Sequence, residues 1–285
     1  MKLFTCLLLT TFTFISGKIY CQDSIDLNLL NPDKLKLQKE ETIITEQHGL
    51  LQIGSDNNWV SIAVGFEHYL ALKSDSTLWA WGDNHVGQLG DGTIVEKTSP
   101  VQIGMDNKWI SIVAGAAHSL GLKSDGTLWA WGNNCDGQVG CGVTSYRTSP
   151  VKIGKGKWLS IAAGSSHTLG LKSNGTLWAW GNNYHGQVGY GTLRKNQTSP
   201  VQIGTDNKWM HVSAGSICDH SFGIKSDSTL WSWGDVYYSS ILGPVQIGTN
   251  SKWISVVGGG SYSKSLGIKS DGTLWIWDGI ITWDK

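Results

Sequence analysis

The chain has 285 residues, 22 basic against 22 acidic side chains and a formal net charge of zero. That balance gives no electrostatic basis for nucleic acid or an anionic membrane as a bulk partner, and a hydrophobic fraction of 40% excludes wholesale disorder. Glycine, at 37 residues, is about twice as abundant as usual, and 16 tryptophans stand against five phenylalanines, so a short unit copied several times is expected.

The chain opens with Lys2 and an apolar run from Leu3 to Ile15, followed by the small residues Ser16-Gly17 and then Tyr20-Cys21-Gln22. This is the form of a secretory signal peptide over residues 1–21. The run is too short to span a bilayer comfortably, and no second candidate follows, so no membrane span is expected once the signal is removed. Export is the expectation, to the medium, the periplasm or the cell surface. Lys18-Ile19-Tyr20 lacks the small residues that lipidation at Cys21 would use. Residues 22–48, with Asn31-Pro32-Asp33-Lys34 and Lys39-Glu40-Glu41, read as a solvated polar leader.

Residues 49–285 hold five copies of one unit, at about 50–104, 105–154, 155–204, 205–248 and 249–285. The pair Trp79/Trp81 recurs as Trp129/Trp131, Trp178/Trp180, Trp231/Trp233 and Trp275/Trp277, at spacings of 50, 49, 51 and 44 residues. A lone tryptophan precedes each pair, at Trp59, Trp109, Trp158, Trp209 and Trp253. Each unit predicts four strands. In the second unit these are 109–114, 118–123, 127–132 and 149–154, with Asp125-Gly126 as a hairpin turn whose glycine accepts positive φ. Asn174-Gly175 and Asp271-Gly272 repeat that turn, and Asp75-Ser76 and Asp227-Ser228 are weaker versions. Pro150 lacks an N–H and suits an edge strand. About 50 residues with four antiparallel strands is a propeller blade, so the fold class is all-β: a β-propeller of five four-stranded blades.

In Leu128-Trp129-Ala130-Trp131 the two indoles share one sheet face and the small alanine the other, so large meets small where blades stack. Ala80, Ala179 and Ser232 keep that contrast, and Ile276 breaks it. The ten paired tryptophans are therefore expected to be structural. Leu51-Gln52-Ile53-Gly54 matches the fourth-strand sequence Val101-Gln102-Ile103-Gly104, and the last unit stops after its third strand. Closure of the last blade by the N-terminal strand is expected, with Ile280–Trp283 as the competing strand and an incomplete ring that pairs with another chain as the alternative.

His68, His118, His167 and His220 each stand eleven residues before the first tryptophan of the pair, with Lys264 in the fifth place. One per blade, they are separated around the axis, so they read as hydrogen-bonding residues at the start of the second strand and not as metal ligands. No nucleophile elbow, P-loop or His-Glu-x-x-His pattern occurs, and the aspartates Asp75, Asp125 and Asp227 are explained by turns. The expectation is a protein that is not an enzyme and needs no cofactor. Cys135 and Cys141 occupy positions held by His85/Asp91 and Tyr184/Tyr190 elsewhere, and both members change together. A disulfide between them is therefore compatible with export.

The run Ala114-Gly115-Ala116-Ala117-His118-Ser119-Leu120-Gly121-Leu122-Lys123-Ser124-Asp125-Gly126, followed by Trp131-Gly132-Asn133-Asn134 and Gly137-Gln138-Val139-Gly140, resembles the regulator of chromosome condensation repeat. Gly87-Gln88-Leu89-Gly90 and Gly186-Gln187-Val188-Gly189 repeat the tail, which the fourth unit lacks. The resemblance implies a propeller, commonly of seven blades, where five units are present.

Loops after the first and third strands of up-and-down blades share one face, and these are the loops that vary. They carry His85, Tyr146, Arg147, Tyr184, His185, Arg194, Lys195, Tyr237 and Tyr238, a tyrosine- and arginine-bearing rim suited to binding. The expected function is an exported, monomeric, non-catalytic binding propeller that presents this face to a protein or cell-surface ligand. The resemblance also implies a second reading, guanine-nucleotide exchange on a small GTPase with chromatin binding, against which the leader and the neutral charge argue. A hydrolase or lyase using the central funnel is a third reading, which no residue set supports.

Overall fold

The computed structural model describes residues 51–215, 219–236, 239–249, 251–259 and 264–277, together with two short strands, Phe12–Ile15 and Lys18–Cys21, that pair antiparallel. The chain divides into two units, Met1–Ser55 and Asp56–Lys285. The second unit is built of five antiparallel sheets, and no helix occurs among the described residues.

Each sheet is a meander in which every strand bonds to the next in sequence. Blade two runs Trp109–Ala114, His118–Lys123, Leu128–Gly132 and Arg147–Ile153. Its hairpin turns at Asp125-Gly126, where Gly126 takes φ +78° and Asp125 Oδ1 accepts the Thr127 N–H at 2.9 Å. Ser76 and Ser228 hold the same turn at φ +63° and +62°, a region that favours glycine. The fourth strand pairs with the third through Arg147–Gly132 and then Val151–Ala130, with a register shift between them. Pro150 falls in that shift, where its missing N–H removes no ladder bond.

Alternation along the strands gives each blade a leading and a trailing face. Leu70, Leu72, Leu78 and Ala80 on the leading face of blade one pack against Trp109, Ile112 and Trp131 on the trailing face of blade two. Leu120, Leu122, Leu128 and Ala130 meet Trp158, Ile161 and Trp180 in the same way, and the junctions of blades three with four and four with five repeat the scheme. Ala130 and Trp180 are both fully buried, so the small residue of one blade makes room for the indole of the next. In blades two to five the lone tryptophan meets its pair edge to face, as Trp158 does with Trp178 and Trp180 at 6.3 and 5.6 Å. A lysine closes each tryptophan cluster: Lys172 Nζ lies 5.2 and 3.5 Å from the ring centres of Trp158 and Trp178, and Lys73, Lys123, Lys225 and Lys269 repeat the contact. The first strands of all five blades line one central cavity of about 350 Å³, from Ile62 through Ile112, Ile161 and Val212 to Val256.

Among the described residues the last blade has no fourth strand. The fifth sheet has three strands among the described residues, Trp253–Gly258, Ser265–Lys269 and Leu274–Trp277, and Leu51–Gly54 forms no strand. The other four blades anchor the fourth strand on the glycine that ends the third: Gly82 to Lys97, Gly132 to Arg147, Gly181 to Gln197 and Gly234 to Ile241. Those glycines sit at φ +92° to +99°. The fifth unit has Asp278 at that position, and a side chain disfavours such a backbone. The competing segment 280–283 lies outside the described residues.

Candidate binding face

Backbone bonds tie the variable loops into one surface. After the first strands, Phe66 N donates to Ala116 O (3.1 Å), Ala116 N to Ser165 O (3.2 Å) and Ser165 N to Gly215 O (3.3 Å), linking four consecutive blades. Inside each blade the third-strand loop hangs from the first-strand loop, through Asp83 N to Glu67 O, Asn133 N to Ala117 O, Asn182 N to Ser166 O and Asp235 N to Asp219 O. On the other side, the hairpin of each blade accepts from the leading tryptophan of the next, as Gly126 O does from Trp158 N at 2.8 Å. The two sets of loops that vary therefore share a face, as the alternation of connections predicts.

A buried asparagine and glutamine shape the third-strand loop in each of blades one to three. Asn134 Oδ1 accepts the Val139 N–H at 2.9 Å, and its amide donates to Val143 O and Ser145 O. Gln138 Oε1 accepts the Asp136 N–H at 2.9 Å. Asn84/Gln88 and Asn183/Gln187 do the same in their blades. The main-chain oxygen of each glutamine then reaches across the junction. Gln138 O accepts from Trp180 Nε1 at 2.9 Å and from Thr168 Oγ1 at 2.8 Å. Gln88 O serves Trp131 and Ser119, and Gln187 O serves Trp233 and Ser221. Gly140, at φ +83°, lets this happen, because a Cβ there would stand 2.6 Å from Trp180 Nε1. Sequence reasoning saw the Gly-Gln-x-Gly motif without its role. The cue was the constancy of a glutamine and an asparagine in loops whose other residues vary.

Three of the four histidines complete the same locks and act between blades, while neither ring nitrogen of His220 has a hydrogen-bond partner among the described residues. His68, His118 and His167 are fully buried. Their Nε2 atoms lie 2.9, 3.1 and 2.9 Å from Ser119, Thr168 and Ser221 of the next blade. Each hydroxyl gives its single proton to a glutamine carbonyl, so Nε2–H is the donor and the ring is the neutral Nε2–H tautomer. Burial pushes His68 and His220 down to about 4 and His118 and His167 down to about 3. Among the described residues no three His, Cys, Asp or Glu side chains gather as a metal site.

The rim residues divide by blade. In blade three, Arg194 lies 5.0 Å from the Tyr184 ring centre, and Tyr184 and His185 meet edge to face at 5.2 Å. His185 Nε2 is 3.8 Å from Asp219 of blade four. Burial raises the Asp219 carboxyl, and the neighbouring His185 opposes that rise. Asn196 of the same loop donates to Asp136 of blade two at 2.8 Å, so one loop bridges three blades. Tyr184 and Arg194 are exposed, and Arg194 takes φ +54°. Lys195 is exposed beside them. In blade two, Tyr146 is exposed and Arg147 donates to Ser145 Oγ at 3.3 Å. In blade one, exposed His85 donates to Asp83, and that bond raises its pKa. Tyr237 and Tyr238 lie outside the described residues.

The disulfide expected between Cys135 and Cys141 is not formed; both are free thiols. Cys141 Sγ accepts from the Asn134 amide at 3.5 Å, the place Asp91 takes opposite Asn84, and Cys135 is exposed. Both positions belong to the loop that Asn134 organises.

The regulator of chromosome condensation (RCC1) repeat model matches residues 75–122, 125–171 and 174–224, and a second model of the same repeat matches 59–88, 109–138 and 158–187. No curated protein sequence matches the chain. Among solved structures, the fold is similar to human WBSCR16, at 24% identity and a TM-score of 0.69 over 79% of this chain and 64% of that one. The chain thus spans less than two thirds of that protein. The entire ectodomain of the Physcomitrella patens receptor kinase CR4 matches at 21% identity and a TM-score of 0.50, covering 84% of this chain and 55% of that one. Prp20p from Saccharomyces cerevisiae, described with its binding to Gsp1p and histones, matches at 21% identity and a TM-score of 0.46, covering 77% and 72%. With repeat models covering more than half of its length and five sheets of the matching kind, the chain belongs to the regulator of chromosome condensation (RCC1) repeat family.

Proposed function

We propose that this protein is a non-catalytic binding propeller, exported by its N-terminal segment, that captures a protein or surface ligand on its variable-loop face. The observation that carries the reading is the cluster of exposed Tyr184 and Arg194 with His185, held by one loop that is fixed to the blades on either side. Aromatic and arginine side chains on a rigid support lose little entropy on binding and dominate interface energies. The half-buried Asp219 beside them adds an acceptor for a cationic or amide-bearing partner. The signal-like residues 1–21 support export.

The test is capture by the full chain from extracellular and cellular fractions, compared with a Tyr184→Ala/Arg194→Ala double variant of unchanged thermal stability. A partner enriched by the parent and lost at least about tenfold by the variant is expected. Equal capture by both, or no enrichment from either fraction, contradicts the reading.

A further inference from the structure

The interior junctions define two complementary surfaces, and the described chain carries one unpaired copy of each. On the trailing face of blade one, Ile62 is 74% exposed, while its counterparts Ile112, Ile161, Val212 and Val256 are 6, 7, 4 and 1% exposed. Val64 and Tyr69 beside it are exposed as well, and Tyr69 stacks on Trp81 at 5.3 Å. On the leading face of blade five, Leu274 is 67% exposed, where Leu78, Leu128, Leu177 and Leu230 are at 0%. Ile276 is 68% exposed, at the place of the fully buried Ala80, Ala130 and Ala179, and Leu266 and Ile268 flank it.

An exposed aliphatic and aromatic sheet face of this extent marks an interaction surface. What it accepts is shown by the chain itself. Four times over, a leucine-rich leading face seats on a tryptophan- and isoleucine-bearing trailing face. We infer that the leading face of blade five docks on the trailing face of blade one of a second copy, in a head-to-tail contact of the same kind as the interior junctions. Such a contact is heterologous: each copy uses two different surfaces, and one of each stays free at the ends of the assembly.

The experiment is sedimentation of the full chain and of two variants, Ile62→Glu and Ile276→Glu. Both sites are exposed, so unchanged circular dichroism and melting temperature are expected. The parent should associate as its concentration rises, beyond the 31.0 kDa chain mass. Each variant alone should remain a single copy, since one of its two surfaces is blocked. Mixed one to one, the variants should form a species of two copies and nothing larger, because each supplies the surface the other lacks. A parent that stays at one copy at every concentration overturns the inference, because the faces are then covered within the chain. Variants that associate by themselves, or fail to pair on mixing, overturn it equally.

Discussion

Truncating Trp180 to alanine should destabilise the protein by about 3–5 kcal/mol, the range for a large aromatic removed from a closed core. For a unit of this size that corresponds to a fall in melting temperature of roughly 6–20 °C. Trp180 is fully buried, fills the space left by Ala130, and donates to Gln138 O at 2.9 Å. Its loss would open a cavity at a blade junction and leave that carbonyl with one donor fewer. The control is Trp81→Ala. Trp81 stands at the same place in an identical Leu-Trp-Ala-Trp-Gly segment, but it is only partly buried, on the trailing face of blade one. Its truncation should cost less than about 2 kcal/mol, because less apolar surface is involved and no neighbouring blade is left with a void. Denaturant melts of the two variants check the difference, and equal losses would mean that the trailing face of blade one is as enclosed as the interior junctions.

The second large effect is on acid stability. Four histidines are held neutral in the folded protein, two at about 4 and two at about 3, against an ordinary value of 6.5. Between pH 6.5 and about 4 the unfolded chain therefore binds protons that the folded chain does not. Lowering the pH through this window favours unfolding, and the stability present above pH 6.5 is progressively lost. Each histidine contributes a slope of about 1.4 kcal/mol per pH unit once its unfolded form is charged. Four together give about 5 kcal/mol per unit near pH 5, enough to unfold a protein of ordinary stability before the carboxylates begin to titrate. Urea denaturation at pH 7, 6 and 5 measures the slope. His118→Gln should lower the stability at pH 7 and also reduce the slope by about one proton. A slope unchanged by that variant would show that His118 is not held neutral by the junction.

Strand limits were legible because the repeat supplies five readings of each element. Trp109–Ala114 and His118–Lys123 form at the residues the pattern marks, and the hairpin at Asp125-Gly126 follows from turn chemistry alone. The indole and alanine contrast foretold which faces meet. Partnership across blades was not legible, because residues such as Gln138, Thr168 and Trp180 come together only once two units are stacked. The histidines were recognised as hydrogen-bonding, but their partners lie about fifty residues away in the next blade. The lysines over the tryptophans escaped notice since a charged residue at a strand end reads as solvated. Covariation of Cys135 and Cys141 marks a shared loop without specifying a bond, and the two are free thiols. The N-terminal segment matches a fourth strand in sequence, yet Leu51–Gly54 forms no strand. In blade three, the bridging of neighbours by Asn196 and His185 depends on contacts that no single repeat contains.

The junctions between blades, more than the sheets themselves, hold this protein together. Amide hydrogen exchange of the second strands tests it most directly, since His118–Lys123, His167–Lys172 and Ser265–Lys269 are each paired on both sides within their own sheet. They differ in what covers them: the first two lie between blades, and the third leaves Leu266 and Ile268 exposed. If junctions dominate, Ser265–Lys269 exchanges at least about 100-fold faster than the two interior strands, through local opening of the last blade. Equal protection of all three strands would contradict the claim.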